Sequence, residues 1–223
     1  MLQSSSATEA IIAAMSDQTP LLRPEDCALV LVDQQAGLAF GVGSMDRQTL
    51  LDNAVASVRT ALAFHVPIII STSASKAYSG PLMPPIRKLV SDVPVMERHN
   101  MNLWEDEAVR SAIAKTGRRR LLLSGLLTEA CVSFPVLSAL ADGYEVSVIA
   151  DACGGLTSVS HELALRRMQA AGAQMTSWIQ VLLELQRDWT RRDTYNDARS
   201  IIEANGGGYG IGLAYARDMI HPS

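Results

Sequence analysis

The chain is short of charge, of cysteine, of aromatic rings and of long apolar runs, and each shortage excludes something. Among 223 residues, 19 Lys and Arg stand against 23 Asp and Glu, a net charge of −4. A chain without a basic excess lacks the surface that neutralises phosphates, so no nucleic acid partner is expected. Charged residues make up 19%, under the roughly 25% of a typical soluble chain. Less charge leaves less surface suited to water, which points to buried contacts between subunits. Three cysteines, Cys27, Cys131 and Cys153, fall in no CxxC or zinc spacing. Such an odd count argues against a disulfide framework and for a reducing compartment, the cytoplasm. The first twenty residues hold no Lys or Arg and no apolar run longer than AIIAAM, so neither a signal peptide nor a membrane anchor is expected. They read as a flexible N-terminal extension, 1–20, with Met15 as an alternative start of translation.

What is present is an alternation. At 48% apolar residues, the chain can build a sizeable core without disulfides or metal. Apolar runs at 27–33 (CALVLVD), 66–73 (VPIIISTS), 93–98 (VPVMER), 119–125 (RRLLLSG), 144–151 (YEVSVIAD) and 173–178 (AQMTSW) read as six strands. Amphipathic stretches at 46–65, 105–117, 128–143 and 158–172 read as helices between them, and 79–86 (SGPLMPPI) as a loop. Continuous apolar strands joined by helices predict a three-layer α/β/α domain with a six-stranded, mostly parallel sheet, Rossmann-like in class. Its extent is set at 21–192. The remainder, 193–223, is expected to be a helical extension making oligomer contacts, and to include the glycine cluster GGGYGIG (206–212).

Ligands bind beyond the carboxyl ends of strands in such sheets, and four places there carry chemistry. Asp33 ends the first strand; Glu97, Arg98 and His99 end the third; SGLLTEACV (124–132) follows the fourth; Asp151 and Cys153 end the fifth. Cys131 falls in the first turn of a helix, where free N–H groups and the helix dipole lower a thiol pKa. A carboxylate could take its proton and a cation could hold the thiolate, types that Asp33 and Arg98 supply from strands expected to flank the fourth. Chemistry alone leaves a second reading open, that Cys131 is a small buried hydrophobe. Cys153 lacks a helix N-terminus, Cys27 reads as core, and Asp151 reads as a cap. Lys76 is a weak stand-in for a catalytic cation. The rival class, a nucleotide-binding module, finds only GVGSMD (41–46), which lacks the last glycine of GxGxxG.

The stretches ALVLVDQQAGL (28–38), SGPLMP (79–84), MNLWEDE (101–107), AKTGRRRLLLSG (114–125), LTEACVSFPVLSAL (127–140), AAGAQMTSW (170–178) and ELQRDW (184–189) together resemble the isochorismatase-like cysteine hydrolases, most nearly their YcaC-like branch. The resemblance implies a triad of acid, cation and thiol: Asp33, Arg98 and Cys131. Arg98 stands where most of the family has Lys. An ungapped count back from Trp104 lands on Glu97 instead, but a second carboxylate beside Asp33 would oppose thiolate formation. Arg does not give up its proton at neutral pH, so its part would be electrostatic. The resemblance further implies a cis peptide at Leu126–Leu127, with the N–H groups of Leu127 and Cys131 as the oxyanion hole.

The implied reaction is hydrolysis of an amide-type carbon–nitrogen bond of a small molecule through a thioester, with vinyl-ether cleavage as the alternative. Gln35, Phe40, Trp104, Thr128 and Phe134 are expected to line the pocket. For the three aromatics the alternative is packing, and for Gln35 it is orienting Asp33 or the local loop. Metal-dependent relatives hold their ion with an Asp-x-His pair after the second strand, where this chain has STSAS (71–75). His65, His99, His161 and His221 lie in no ligand spacing, so neither metal nor cofactor is expected. Assembly into homo-oligomers, tetramers or octamers, completes what the resemblance implies.

Overall fold

The computed structural model describes residues 21–220; the expected extension, 1–20, and His221 lie outside the described residues. Six strands form one sheet: β1 (Cys27–Val32), β2 (Ile68–Ser73), β3 (Val95–Arg98), β4 (Arg120–Gly125), β5 (Glu145–Ile149) and β6 (Gln174–Thr176). Their order is β3-β2-β1-β4-β5-β6, and every pairing is parallel. The order runs outward in both directions from the β1/β4 pair, and the crevice at such a reversal is where an open sheet binds its ligand.

Helices α1 (Ala36–Phe40), α2 (Arg47–Ala63), α3 (Pro84–Leu89), α4 (Glu107–Lys115), α5 (Ser133–Ala141), α6 (Ser158–Ala170), α7 (Trp178–Gln186), α8 (Arg192–Asn205) and α9 (Gly207–Tyr215) complete the fold. Strand alternation divides β1 between two cores. Leu29 and Leu31 pack with Ala54 and Val58 of α2, Leu182 of α7 and Ile202 of α8. Ala28, Val30 and Val32 pack with Val109 of α4, Val136 of α5 and Met168 of α6. A strand apolar at every position is what a sheet covered on both faces requires.

Two expectations are corrected, the loop at 79–86 and the boundary at 192/193. Residues 79–86 are not all loop, because the prolines that broke the pattern stand in the first turn of α3, where a missing N–H costs nothing. The glycine cluster lies in helix α9; a Cβ at Gly210 would sit 2.4 Å from the Ile202 carbonyl oxygen, so glycine there allows α9 to lie close on α8. The boundary at 192/193 also falls inside the core, since Ala198, Ile201 and Ile202 of α8 are buried in it.

Candidate active site

Asp33 follows β1 at the sheet's reversal point. Its N–H continues the ladder by donating to the Ser71 carbonyl at 2.9 Å, but its φ is +51°. Strict alternation would place residue 33 on the face of Leu29 and Leu31. The left-handed backbone, which Asp tolerates better than most residues, re-aims the carboxylate to the opposite face, that of Val32 and Cys131.

Arg98 ends β3 on that second face, in step with Met96. Its Nη1 donates to Asp33 Oδ1 at 2.5 Å and its Nη2 to Asp33 Oδ2 at 2.7 Å, with both side chains fully buried. The expectation that the Asp33 and Arg98 strands both flank β4 is corrected: β1 does, while β3 is the edge strand, two places from β1. Two strand spacings are roughly 10 Å, which a long arginine can span, and Nη1 passes Ser71 Oγ of β2 at 3.4 Å. Alternation also decides between the two candidates at this strand end. Glu97 turns the other way, accepting from Thr72 Oγ1 and from the Ser75 N–H, each at 2.8 Å. These bonds, against a burial that works the other way, hold its carboxyl below the ordinary value.

Beyond β4 the peptide Leu126–Leu127 is cis, and Thr128–Val132 forms a π-helical turn leading into α5. Cys131 sits half-buried in that turn. Asp33, Arg98 and the Leu127 backbone all lie close enough to act on its thiol. The three expected residues are therefore brought together.

The thiol is not lowered, as the helix position suggested. Burial first, and then the Asp33 charge and hydrogen bond, push it up to about 11, outweighing Arg98 and the Leu127 bond. Burial also works against the Arg98 charge, but Asp33 and Cys131 more than offset it and hold the guanidinium above its usual value. The site is a thiol beside a carboxyl group that Arg98 clamps at both oxygens. Alkylation of Cys131 by iodoacetamide is accordingly expected to quicken about tenfold per pH unit from neutral pH to about 10. Rates followed by intact mass check this, and a plateau at neutral pH would contradict it.

The remaining expected residues separate. Gln35 ties the loop after β1 to β2, donating to the Ser73 and Gly80 carbonyls and accepting from the Ser73 N–H at 3.0 Å. Phe40, at the end of α1, is 75% exposed; Phe134 is half-buried in α5. Trp104 does not wall the site. Its Nε1 donates to Asp142 at 2.7 Å and its ring meets Tyr144 edge-on, beyond the far end of α5 from Cys131. Thr128 is buried with its hydroxyl 2.8 Å from His161 Nδ1, a partnership no spacing in the sequence signals. Cys153 and Cys27 are fully buried, which pushes their thiols up to about 12 and about 11. Asp151 accepts from the Trp178 N–H at the start of α7, the capping role expected of it. Lys76 is exposed. Among the described residues, no His, Cys, Asp and Glu group stands together as metal ligands, and no helix is long and apolar enough to cross a membrane.

A doubly wound parallel sheet with a thiol, a carboxylate and a guanidinium converging at its reversal point defines an α/β protein whose site is equipped for nucleophilic chemistry. The isochorismatase domain model matches residues 27–180, and the chain belongs to the isochorismatase family of hydrolases. It is 37% identical over 169 residues to the probable hydrolase YcaC of Escherichia coli (strain K12), covering 75% of this chain and 81% of that protein. The solved structure of Escherichia coli YcaC, described as an octameric hydrolase of unknown specificity, superposes with a TM-score of 0.86 at 34% identity. That match covers 92% of this chain and 99% of the other. YcaC from Pseudomonas aeruginosa, with hexane-2,5-diol and covalent acrylamide, superposes at 0.84 and 34% identity, over 88% and 97% of the two chains.

Proposed function

We propose that this protein hydrolyses an amide-type carbon–nitrogen bond of a small molecule through a thioester on Cys131. The observation that carries the reading is a buried carboxylate, fixed at both oxygens by Arg98, standing close enough to the half-buried Cys131 thiol to act on it. Asp33 accepts the thiol proton as the sulfur attacks the carbonyl carbon, and the carbonyl π pair moves to oxygen, facing the N–H groups of Leu127 and Cys131. Collapse breaks the C–N bond, and the amine leaves with the proton from Asp33. A water then gives Asp33 its proton while attacking the thioester; the C–S bond breaks, the acid departs and the thiol is restored. Arg98 stays charged throughout and holds Asp33 in place at both oxygens.

The acrylamide held covalently by the Pseudomonas aeruginosa relative fits this reading, because activated alkenes are taken up by thiolates. Screening small amides and carbamates for ammonia release, with intact-mass detection of an acyl adduct on Cys131, tests it. Turnover of such a compound by a Cys131→Ala variant at the full rate would remove the mechanism. Thiol-independent turnover of vinyl ethers would favour the alternative.

We further propose a cytoplasmic homo-oligomer, a tetramer or octamer. The octamer described for Escherichia coli YcaC supports this, as do the exposed apolar side chains Ile211, Tyr215, Met219 and Ile220 at the C-terminal end. Deleting residues from Gly207 onward is expected to lower the native mass in light scattering while keeping the domain folded. A deletion from Asp193 would instead remove Ile201 and Ile202 from the core and unfold it.

A further inference from the structure

We infer that His161 is a positioning residue, which fixes the oxyanion-binding turn through the Thr128 hydroxyl. The inference rests on the proposed role of Cys131. Thr128 follows Leu127, whose backbone lies beside the Cys131 thiol, and it is held at two points. Its N–H donates to the Gly154 carbonyl at 2.9 Å, and its hydroxyl lies 2.8 Å from His161 Nδ1. His161 is offered from a rigid place, the first turn of α6, which a capping box between Thr157 and Ser160 closes.

The two segments also clasp each other around Gly155. Glu129 Oε1 accepts from the Leu156 N–H at 2.9 Å. A Cβ at Gly155 would stand 2.7 Å from Glu129 Oε2 and 2.9 Å from the His161 Cβ. Burial lowers the His161 pKa, against the pull of Glu129 on the turn and Glu162 on its own helix. The neutral ring joins the Thr128 hydroxyl through Nδ1, which accepts from it when the ring proton is on Nε2 and donates to it when the proton is on Nδ1. The Leu127–Thr128 peptide is thus pinned on its far side, and the Leu127 N–H keeps its aim at the reacting atoms.

Two electrophiles separate this role from general stability. In acrylamide addition the C–S bond forms at the terminal alkene carbon and the π electrons move onto the carbonyl oxygen as an enolate, later protonated at carbon. In iodoacetamide alkylation the C–S bond forms as the C–I bond breaks, and iodide carries the charge away. Only the first builds charge that the turn's N–H groups can stabilise. The ratio of the two rate constants at Cys131 therefore reports the donors, because the thiolate fraction cancels.

Thr128→Val and His161→Leu are each expected to lower that ratio roughly tenfold, with little further loss when combined. Thr128→Ser and His161→Asn, which keep a hydroxyl at 128 and an acceptor near the Nδ1 position, should restore it. An unchanged ratio in folded Thr128→Val or His161→Leu protein overturns the inference, as does failure of both conservative variants to rescue. If native Cys131 takes up neither reagent, the proposed nucleophile itself falls, and this role with it.

Discussion

Cys131→Ala is expected to abolish both turnover and acrylamide uptake, by at least about a thousandfold, while leaving the fold in place. The magnitude follows from losing the atom that makes the covalent intermediate. Stability should change little, because the half-buried thiol is a minor partner of Asp33, which retains both bonds to Arg98. Neither remaining cysteine can take over. Cys27 and Cys153 are fully buried, with thiols pushed up to about 11 and about 12, so native protein should label once and the variant not at all. Cys131→Ser should fare no better, since a hydroxyl is far weaker as an acid than even a raised thiol. Intact mass after acrylamide treatment, beside ammonia release from any amide found by screening, is the measurement. Labelling of Cys131→Ala at the native rate would place the nucleophile elsewhere.

The sequence showed this much of the site because strand ends are legible. A buried parallel strand is apolar at every position, so the residue that breaks the run, such as Asp33, stands at the carboxyl end where ligands bind. Cys131 was visible for the same reason, as the chemical residue in the turn after β4. Arg98 against Glu97 was a matter of one position, and only the pleat of β3 separates them: one faces Asp33, the other Thr72 and Ser75. Strand order is less legible: spacing along the chain does not reveal that β3 lies at the edge, or that Arg98 reaches over β2. The left-handed φ at Asp33 has no sequence mark, and neither does the meeting of Thr128 with His161, 33 residues apart. A helix N-terminus predicts a lowered thiol, but desolvation and the adjacent carboxylate, which depend on the folded surroundings, raise it instead.

Those two charges give the sharpest test of the site, because their removal should move the same thiol in opposite directions. Asp33→Asn deletes an anion that raises the Cys131 pKa and leaves Arg98 to face the sulfur, so iodoacetamide should react faster than with native protein at neutral pH. Arg98→Met deletes the cation that lowers it, and the reaction should slow. Hydrolysis should nevertheless be lost in both, since one variant has no base and the other no fixed one. Both variants also cost the fold. Met at position 98 strands a fully buried carboxylate, a loss of about 3–5 kcal/mol in unfolding free energy. Asn at position 33 leaves the equally buried Arg98 charge without its carboxylate and turns an amide N–H toward one of its donors, so a similar loss of about 3–5 kcal/mol is expected. Urea unfolding and alkylation rates on the same two preparations give both quantities. Equal slowing of alkylation in both variants would mean that local collapse governs the thiol; opposite signs require that Asp33 and Arg98 act on it through their charges.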